Sequence, residues 1–279
     1  MMFHRYMNKK PPQEAPQEIN IHEPLEPPRV GGRWKGSFDG GGGRNEKTLL
    51  STSKSLDDVS QNKLPDPSSQ DINALLSFQS SSDPFNHSLV SWSQSSNPCN
   101  SSWLGVTCKA DRVVHLVLEN LGLVGHIDAL TKLDQLRLLS LKNNNLSSNI
   151  ATLNLSSWKD LKLLYLSNNH LHGQLPNEIG CLRRLHRLDL SGNRLSGVIP
   201  VALGRLTRLV TLRLEHNSFS GTLQPLSGLS SISDFNVSEN ALSGEIPESL
   251  STFPPSAFGG NRGLSRKPNQ TAIKRSMGE

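Results

Sequence analysis

The 279-residue chain contains no run of about 18 or more apolar residues, which excludes a helix spanning a bilayer within it. Its first 30 residues, beginning Met1-Met2-Phe3-His4-Arg5-Tyr6, also lack the apolar core of roughly 7 to 15 residues that a secretory signal needs. The chain as written therefore has no visible export route. Cysteine is scarce: there are three, with no Cys-x-x-Cys and no His pair beside them, so a zinc site fails for want of ligands. Catalytic signatures are missing as well. There is no Gly-x-Ser-x-Gly elbow, no His-Glu-x-x-His, and no kinase Gly-rich loop, His-Arg-Asp or Asp-Phe-Gly. The nine histidines are scattered, and His170, His172 and His216 fall at solvent-facing positions. The expectation is a chain that is not an enzyme, with no catalytic residue, no cofactor and no metal.

An excess of one charge is lacking where it would matter. The net charge is +5, but residues 1–66 carry ten Lys/Arg against nine Asp/Glu, residues 262–279 carry five against one, and the middle carries fourteen of each. A nucleic-acid partner would need a basic face on the folded part, and the sum there is zero. Within that middle the charge is uneven. Residues 183–213 hold Arg183, Arg184, Arg187, Arg194, Arg205, Arg208 and Arg213 against Asp189 alone, whereas residues 214–261 hold five acids and no Lys or Arg.

Residues 1–66 are Pro, Gly, Ser, Gln and charge, with a four-glycine run at 40–43, and such a composition cannot bury enough apolar surface to offset its ordering entropy. Disorder is expected there. The glycines are no phosphate loop, since no Lys-Ser/Thr follows and no apolar strand precedes them. From Asp71, read as an N-cap, Asp-Ile-Asn-Ala-Leu-Leu-Ser-Phe-Gln predicts a short amphipathic helix with Ile72, Leu75, Leu76 and Phe78 on its apolar side.

What dominates the chain is a repeat. Leu-x-Leu-x-x-Asn-x-Leu starts at Leu116, Leu139, Leu164, Leu188, Leu212 and Phe235, at spacings of 23, 25, 24, 24 and 23 residues. Asn144, Asn169, Asn193, Asn217 and Asn240 hold the asparagine position, and the first copy has Leu121 instead. Alternating apolar residues predict a short strand with one buried face, and a single coil cannot bury its leucines alone, so neighbours must stack into one core. The asparagine falls where the chain leaves the strand, and its amide can both donate to and accept from backbone groups in the bend.

The pattern resembles the leucine-rich repeat. Gly173–Pro176, Gly197–Pro200 and Gly244–Pro247, each Gly-x-Ile/Leu-Pro, are similar to the plant extracellular subtype. The helix near Asp71, Ser91-Trp92 and the Trp-x-Gly-Val-x-Cys phrase ending at Cys108 resemble the N-terminal cap of plant leucine-rich-repeat receptor-like kinases. The match covers about 71–265 and is nearest the short-ectodomain subfamily with about six repeats, many of whose members have atypical or inactive kinases; the membrane span and kinase have no counterpart in this sequence. The resemblance implies an α/β solenoid, a leucine-rich-repeat horseshoe of about six plant-type repeats with a helical, disulfide-bonded N-terminal cap.

Its implied organisation is a disordered 1–66, a cap over 67–111, repeats over 112–253, and a C-terminal flank with a disordered tail over 254–279. It also implies a Cys99–Cys108 disulfide, which in a reducing compartment would be two buried thiols. Cys181 is the odd cysteine and reads as a partly buried small hydrophobe. Ser265 stands where the family closes its C-terminal cap with cysteine.

The outward residues of the strands form columns: Val117, Ser140, Tyr165, Asp189, Arg213, Asn236, and Glu119, Lys142, Ser167, Ser191, Glu215, Ser238. Tyr165, Arg187, Asp189, Arg213 and Glu215 are the expected partner-binding residues of the concave face, because an aromatic anchor beside charges of both signs is typical of interaction hot spots. Arg184 and Arg208, at equivalent places in successive coils, should stack on one flank and steer an acidic partner. Sequons at Asn86, Asn100, Asn145, Asn154, Asn236 and Asn269 are candidate glycosylation sites.

The resemblance implies a non-catalytic module that recognises a peptide ligand or a receptor or co-receptor ectodomain in cell-surface signalling. It would lie outside the cell or at the outer face of the plasma membrane. The alternatives are a secreted inhibitor of a cell-wall hydrolase and a truncated gene model of a receptor-like kinase.

Overall fold

The computed structural model describes residues 67–266. The 1–66 segment, the polar tail from 267 and the sequon at Asn269 lie outside the described residues.

Alternation at each Leu-x-Leu decides the fold. Leu116 and Leu118, Leu139 and Leu141, Leu164 and Leu166, Leu188 and Leu190, Leu212 and Leu214, and Phe235 and Val237 are all buried. Their strands, Arg112–Val117, Leu138–Ser140, Leu163–Tyr165, Arg187–Asp189, Thr211–Arg213 and Asp234–Asn236, join the edge strand Val106–Lys109 in one seven-stranded sheet. All pairings after the antiparallel edge are parallel, and they place Leu116, Leu139, Leu164, Leu188, Leu212 and Phe235 side by side. At about 1.5–3 kcal/mol per buried leucine, this column with its neighbours is the main source of stability. A second parallel sheet of five strands is built from His172–Gln174, Arg194–Val198, Ser218–Gly221, Ala241–Glu245 and Gly263–Ser265. Short 3-10 turns such as Asn177–Cys181 and Leu203–Arg205 close the remaining side of each coil.

The asparagines tie one coil to the next. The Asn169 amide donates to the Leu141 carbonyl of the preceding coil (2.9 Å) and to Leu166 of its own (3.1 Å), while its oxygen accepts the Leu146 N–H (3.1 Å). Asn193, Asn217 and Asn240 repeat the pattern one coil later each time. Asn144, lacking a predecessor, accepts from both Leu121 and Leu123, so the first coil, where leucine replaces asparagine, borrows the amide of the second. The residue just before the amide position is left-handed: Asn120, Asn143, Asn168, Gly192, His216 and Glu239 have φ between 53° and 62°, and Gly260, before Asn261, has 73°. Asparagine and glycine visit that region at little cost, which explains their frequency there.

Two expectations are corrected. The N-terminal helix runs over Pro67–Ser82, one turn earlier than the sequence suggested, because proline is tolerated in a first turn. Asp71 is thus no cap. It is buried inside the helix, and its carboxylate takes the Arg112 Nε and Nη2 (2.9 and 3.0 Å) and the Val113 N–H (2.9 Å), bolting the helix to the first repeat strand. At the other end the winding does not stop at 253. Asn261 donates to Val237 and Phe258 and accepts from Leu242, and Gly263–Ser265 pairs with Ser243–Glu245. Phe258-x-x-Asn261 supplies an apolar plug and an amide at the right separation although the Leu-x-Leu phrase is gone.

The ends of the core are sealed differently. Trp92 stacks on Trp103 at 5.4 Å over Phe78, and Cys99 is bridged to Cys108 with a Cα–Cα distance of 5.3 Å. At the C-terminal end Phe235 packs against Phe253 and Phe258, and the Arg266 guanidinium lies 5.6 Å from the Phe258 ring. Asp83, just past the helix, accepts the N–H groups of His87, Ser88 and Leu89. Burial pushes its carboxyl up, but these three backbone bonds together outweigh burial and hold it below the usual carboxylate range.

Replacing Asn169 by Ala leaves buried carbonyls and one N–H unpaired, so it should lower unfolding free energy by about 2–4 kcal/mol, and more than the same change at the half-buried Asn240. Urea denaturation of the two variants checks the order; equal losses would refute the ladder's role in stability. Because the folded Asp83 binds its proton more weakly than an unfolded aspartate, its contribution is present above about pH 4 and is lost as pH falls through the lower folded value. Asp83→Asn should therefore destabilise at pH 6 and converge on the parent in strong acid, read from melting midpoints across pH.

Candidate functional site

Strand alternation leaves three outward columns on the seven-stranded sheet, since residues on either side of each buried leucine face the same way. Register puts Tyr165 beside Asp189 and Asp189 beside Arg213 on consecutive strands. Two residues earlier, Leu163, Arg187, Thr211 and Asp234 line up in the same manner. The structure thus brings Tyr165, Arg187, Asp189 and Arg213 onto one surface.

Each is held differently. Tyr165 lies under Lys142, whose ammonium is 5.3 Å from the ring centroid and 3.4 Å from Glu119 Oε1. Glu119 also accepts the Ser140 hydroxyl. Asp189 accepts both the N–H and the hydroxyl of Ser191, 3.1 and 2.7 Å away, which fixes its carboxylate along the strand. Arg213 forks onto Asp234 through Nε and Nη2 at 3.1 and 3.0 Å. That hydrogen bond, working against partial burial, raises the guanidinium above its ordinary value and keeps it charged. Arg187 is exposed and makes no ion pair among the described residues.

Glu215 departs from expectation. It is 9 % exposed rather than open, and its Oε2 has no hydrogen-bond partner. Ser167, in the same column two coils earlier, is buried as well, while Ser191 between them is half-buried. Burial pushes the Glu215 carboxyl above the usual carboxylate range; Arg213, whose Nη1 is 3.8 Å from Oε1, draws it back only in part, and Asp189 pushes it further up. Ser140, read as outward, is buried too, against Glu119. Sequence reasoning missed Asp234 and the Lys142–Tyr165 contact. Stepping back one residue from each leucine would have found Asp234; nothing local signals the second.

Other singled-out residues fall elsewhere. Arg184 and Arg208 line a groove between the 3-10 turns, together with Cys181. Cys181 is free and exposed, not partly buried: it ends the Asn177–Cys181 turn, whose Ile179 takes the core position. His170, His172 and His216 are exposed. Asn86, Asn100, Asn145 and Asn154 are exposed, whereas Asn236 is half-buried on the strand face and accepts the Ser238 N–H. No helix among the described residues is long and apolar enough to cross a membrane.

A family model described as "Leucine-rich repeat region" matches residues 122–250, and one described as "Leucine rich repeat N-terminal domain" matches 68–109. The chain is 46 % identical over 117 residues to the inactive leucine-rich repeat receptor-like serine/threonine-protein kinase At1g60630 of Arabidopsis thaliana, covering 41 % of this chain and 17 % of that one. It spans 10 % to 29 % of the length of the curated relatives it matches. Among solved structures, it is similar to pollen receptor kinase 3 (32 % identity, TM-score 0.60, 71 % of this chain and 97 % of that chain). It is also similar to a chain of the BIR3–SERK2 complex of Arabidopsis thaliana (32 % identity, TM-score 0.51, 71 % of this chain and 96 % of that chain). On this likeness the chain belongs to the leucine-rich-repeat receptor kinases of plants and corresponds to their ectodomain.

Proposed function

We propose that the chain is the non-catalytic recognition module of a cell-surface receptor. It binds a peptide or another receptor's ectodomain through Tyr165, Arg187, Asp189 and Arg213. The carrying observation is the register that sets an aromatic ring, a carboxylate and two guanidiniums side by side on adjacent strands. Intramolecular partners pin Tyr165, Asp189 and Arg213 in place, so little side-chain entropy is lost when a partner lands on them. Glu215, beneath Arg213, belongs to the same surface as a positioning residue and not as a direct contact.

A location outside the cell is supported by the Cys99–Cys108 bridge, which persists in oxidising compartments, and by exposed sequons at Asn86, Asn100, Asn145 and Asn154. That a similar chain was solved in a complex named for two receptor proteins supports an ectodomain as one kind of partner.

Immobilised SERK2 ectodomain is a direct probe. The chain should bind it saturably, and Tyr165→Ala with Arg213→Ala should weaken binding by about tenfold or more. No binding to it or to any ectodomain or peptide in a receptor panel, or stoichiometric inhibition of a cell-wall hydrolase, would overturn the reading. Glu215 offers a separate check. The folded state holds its proton more tightly than an unfolded glutamate does, so parent stability should fall as pH rises from about 4.3 toward the raised folded value. Glu215→Gln should match the parent below that range and exceed it at pH 7, measured as melting midpoints.

A further inference from the structure

On the side of the coils closed by 3-10 turns runs a groove of about 630 Å³ lined by Asn177, Gly180, Cys181, Arg183, Arg184, Ala202, Arg205, Thr207 and Arg208. Its floor is low because small residues meet there. A Cβ on Gly180 would come within 2.9 Å of the Ala202 Cβ, so any larger residue would begin to fill the hollow. Its walls are four exposed arginines, two from each of two successive coils. Arg184 pairs with Asp160 at 2.7 Å, while Arg183, Arg205 and Arg208 make no ion pair among the described residues. Four like charges around one hollow repel each other, and among the described residues only Arg184 has its charge offset by an ion pair, with Asp160.

Guanidinium forks match carboxylates in geometry, and three of these have their donors open. The ring of cations is also bounded: residues 214–261, which follow it along the solenoid, hold five acids and no Lys or Arg. A long, uniformly charged polymer would meet repulsion there, whereas a short segment would not. No aromatic residue lines the groove on which a sugar ring could stack. Asn177 and Thr207 offer polar partners for a peptide backbone. We propose that this groove is a second binding site, distinct from the strand face, which takes a short acidic segment of a partner protein through Arg183, Arg184, Arg205 and Arg208.

The test uses a fluorescein-labelled hexaglutamate peptide and the full chain, followed by anisotropy. Saturable binding should weaken with added salt and fall about tenfold or more in Arg205→Gln with Arg208→Gln; Tyr165→Ala with Arg213→Ala should leave it unchanged. Cys181 gives a readout that needs no arginine variant: it is a free thiol in the groove, so bound peptide should slow its alkylation by a maleimide. Absence of saturable binding, an affinity indifferent to the arginine changes, unprotected Cys181, or tighter binding of polygalacturonate than of the peptide would each overturn the proposal.

Discussion

A carboxamide that reaches from one coil to the next is the constraint on which the rest of the structure depends. At each of Asn144, Asn169, Asn193, Asn217, Asn240 and Asn261 the side chain satisfies a carbonyl of the preceding coil, a carbonyl of its own coil and at least one N–H of the preceding coil. A sharp bend in a buried chain would otherwise leave those groups unpaired, each at a cost of about 1–3 kcal/mol. Because both the donor and the acceptor of each amide engage the preceding coil while the donor also binds its own, the amides fix how far one coil is rotated and shifted on the next. Leucine burial supplies the larger energy, but it is indifferent to register; the amide supplies the register.

Everything presented to a partner follows from that register. Tyr165, Asp189 and Arg213 become neighbours only because their coils stack without slippage, and Arg183, Arg184, Arg205 and Arg208 surround one hollow for the same reason. The two surfaces differ in how they are held. On the strand face side chains are tethered by Lys142, Ser191 and Asp234, which suits a preformed patch. In the groove three arginines are untethered, which suits a site whose geometry is completed by the ligand.

A stack of coils has two ends, and each exposes a leucine layer unless something covers it. The N-terminal cover is a helix fastened by the buried Asp71–Arg112 pair, with stacked tryptophans and a disulfide behind it. Removing one partner of so buried a pair is costly even though the intact pair contributes little net stability. The C-terminal cover consists of phenylalanines and a cation over a ring, and Ser265 sits in the last parallel strand.

Periodicity written into the chain determined the solenoid, its coil length, the buried column from Leu116 to Phe235 and five of the six bridging amides, because strand alternation and turn chemistry are local properties. The final coil escaped notice since Phe258 and Asn261 carry the chemistry without the repeated phrase. Tertiary structure alone decided what depends on distance between coils: that Asp71 would face Arg112 instead of capping its helix, that Glu215 would be buried while Tyr165 stays reachable, that Arg213 would choose Asp234, and that Cys181 would stand exposed among arginines. These outcomes arise from side chains about 20 to 40 residues apart meeting across a stacking interface, and a pattern read along one strand carries no information about which of them will touch.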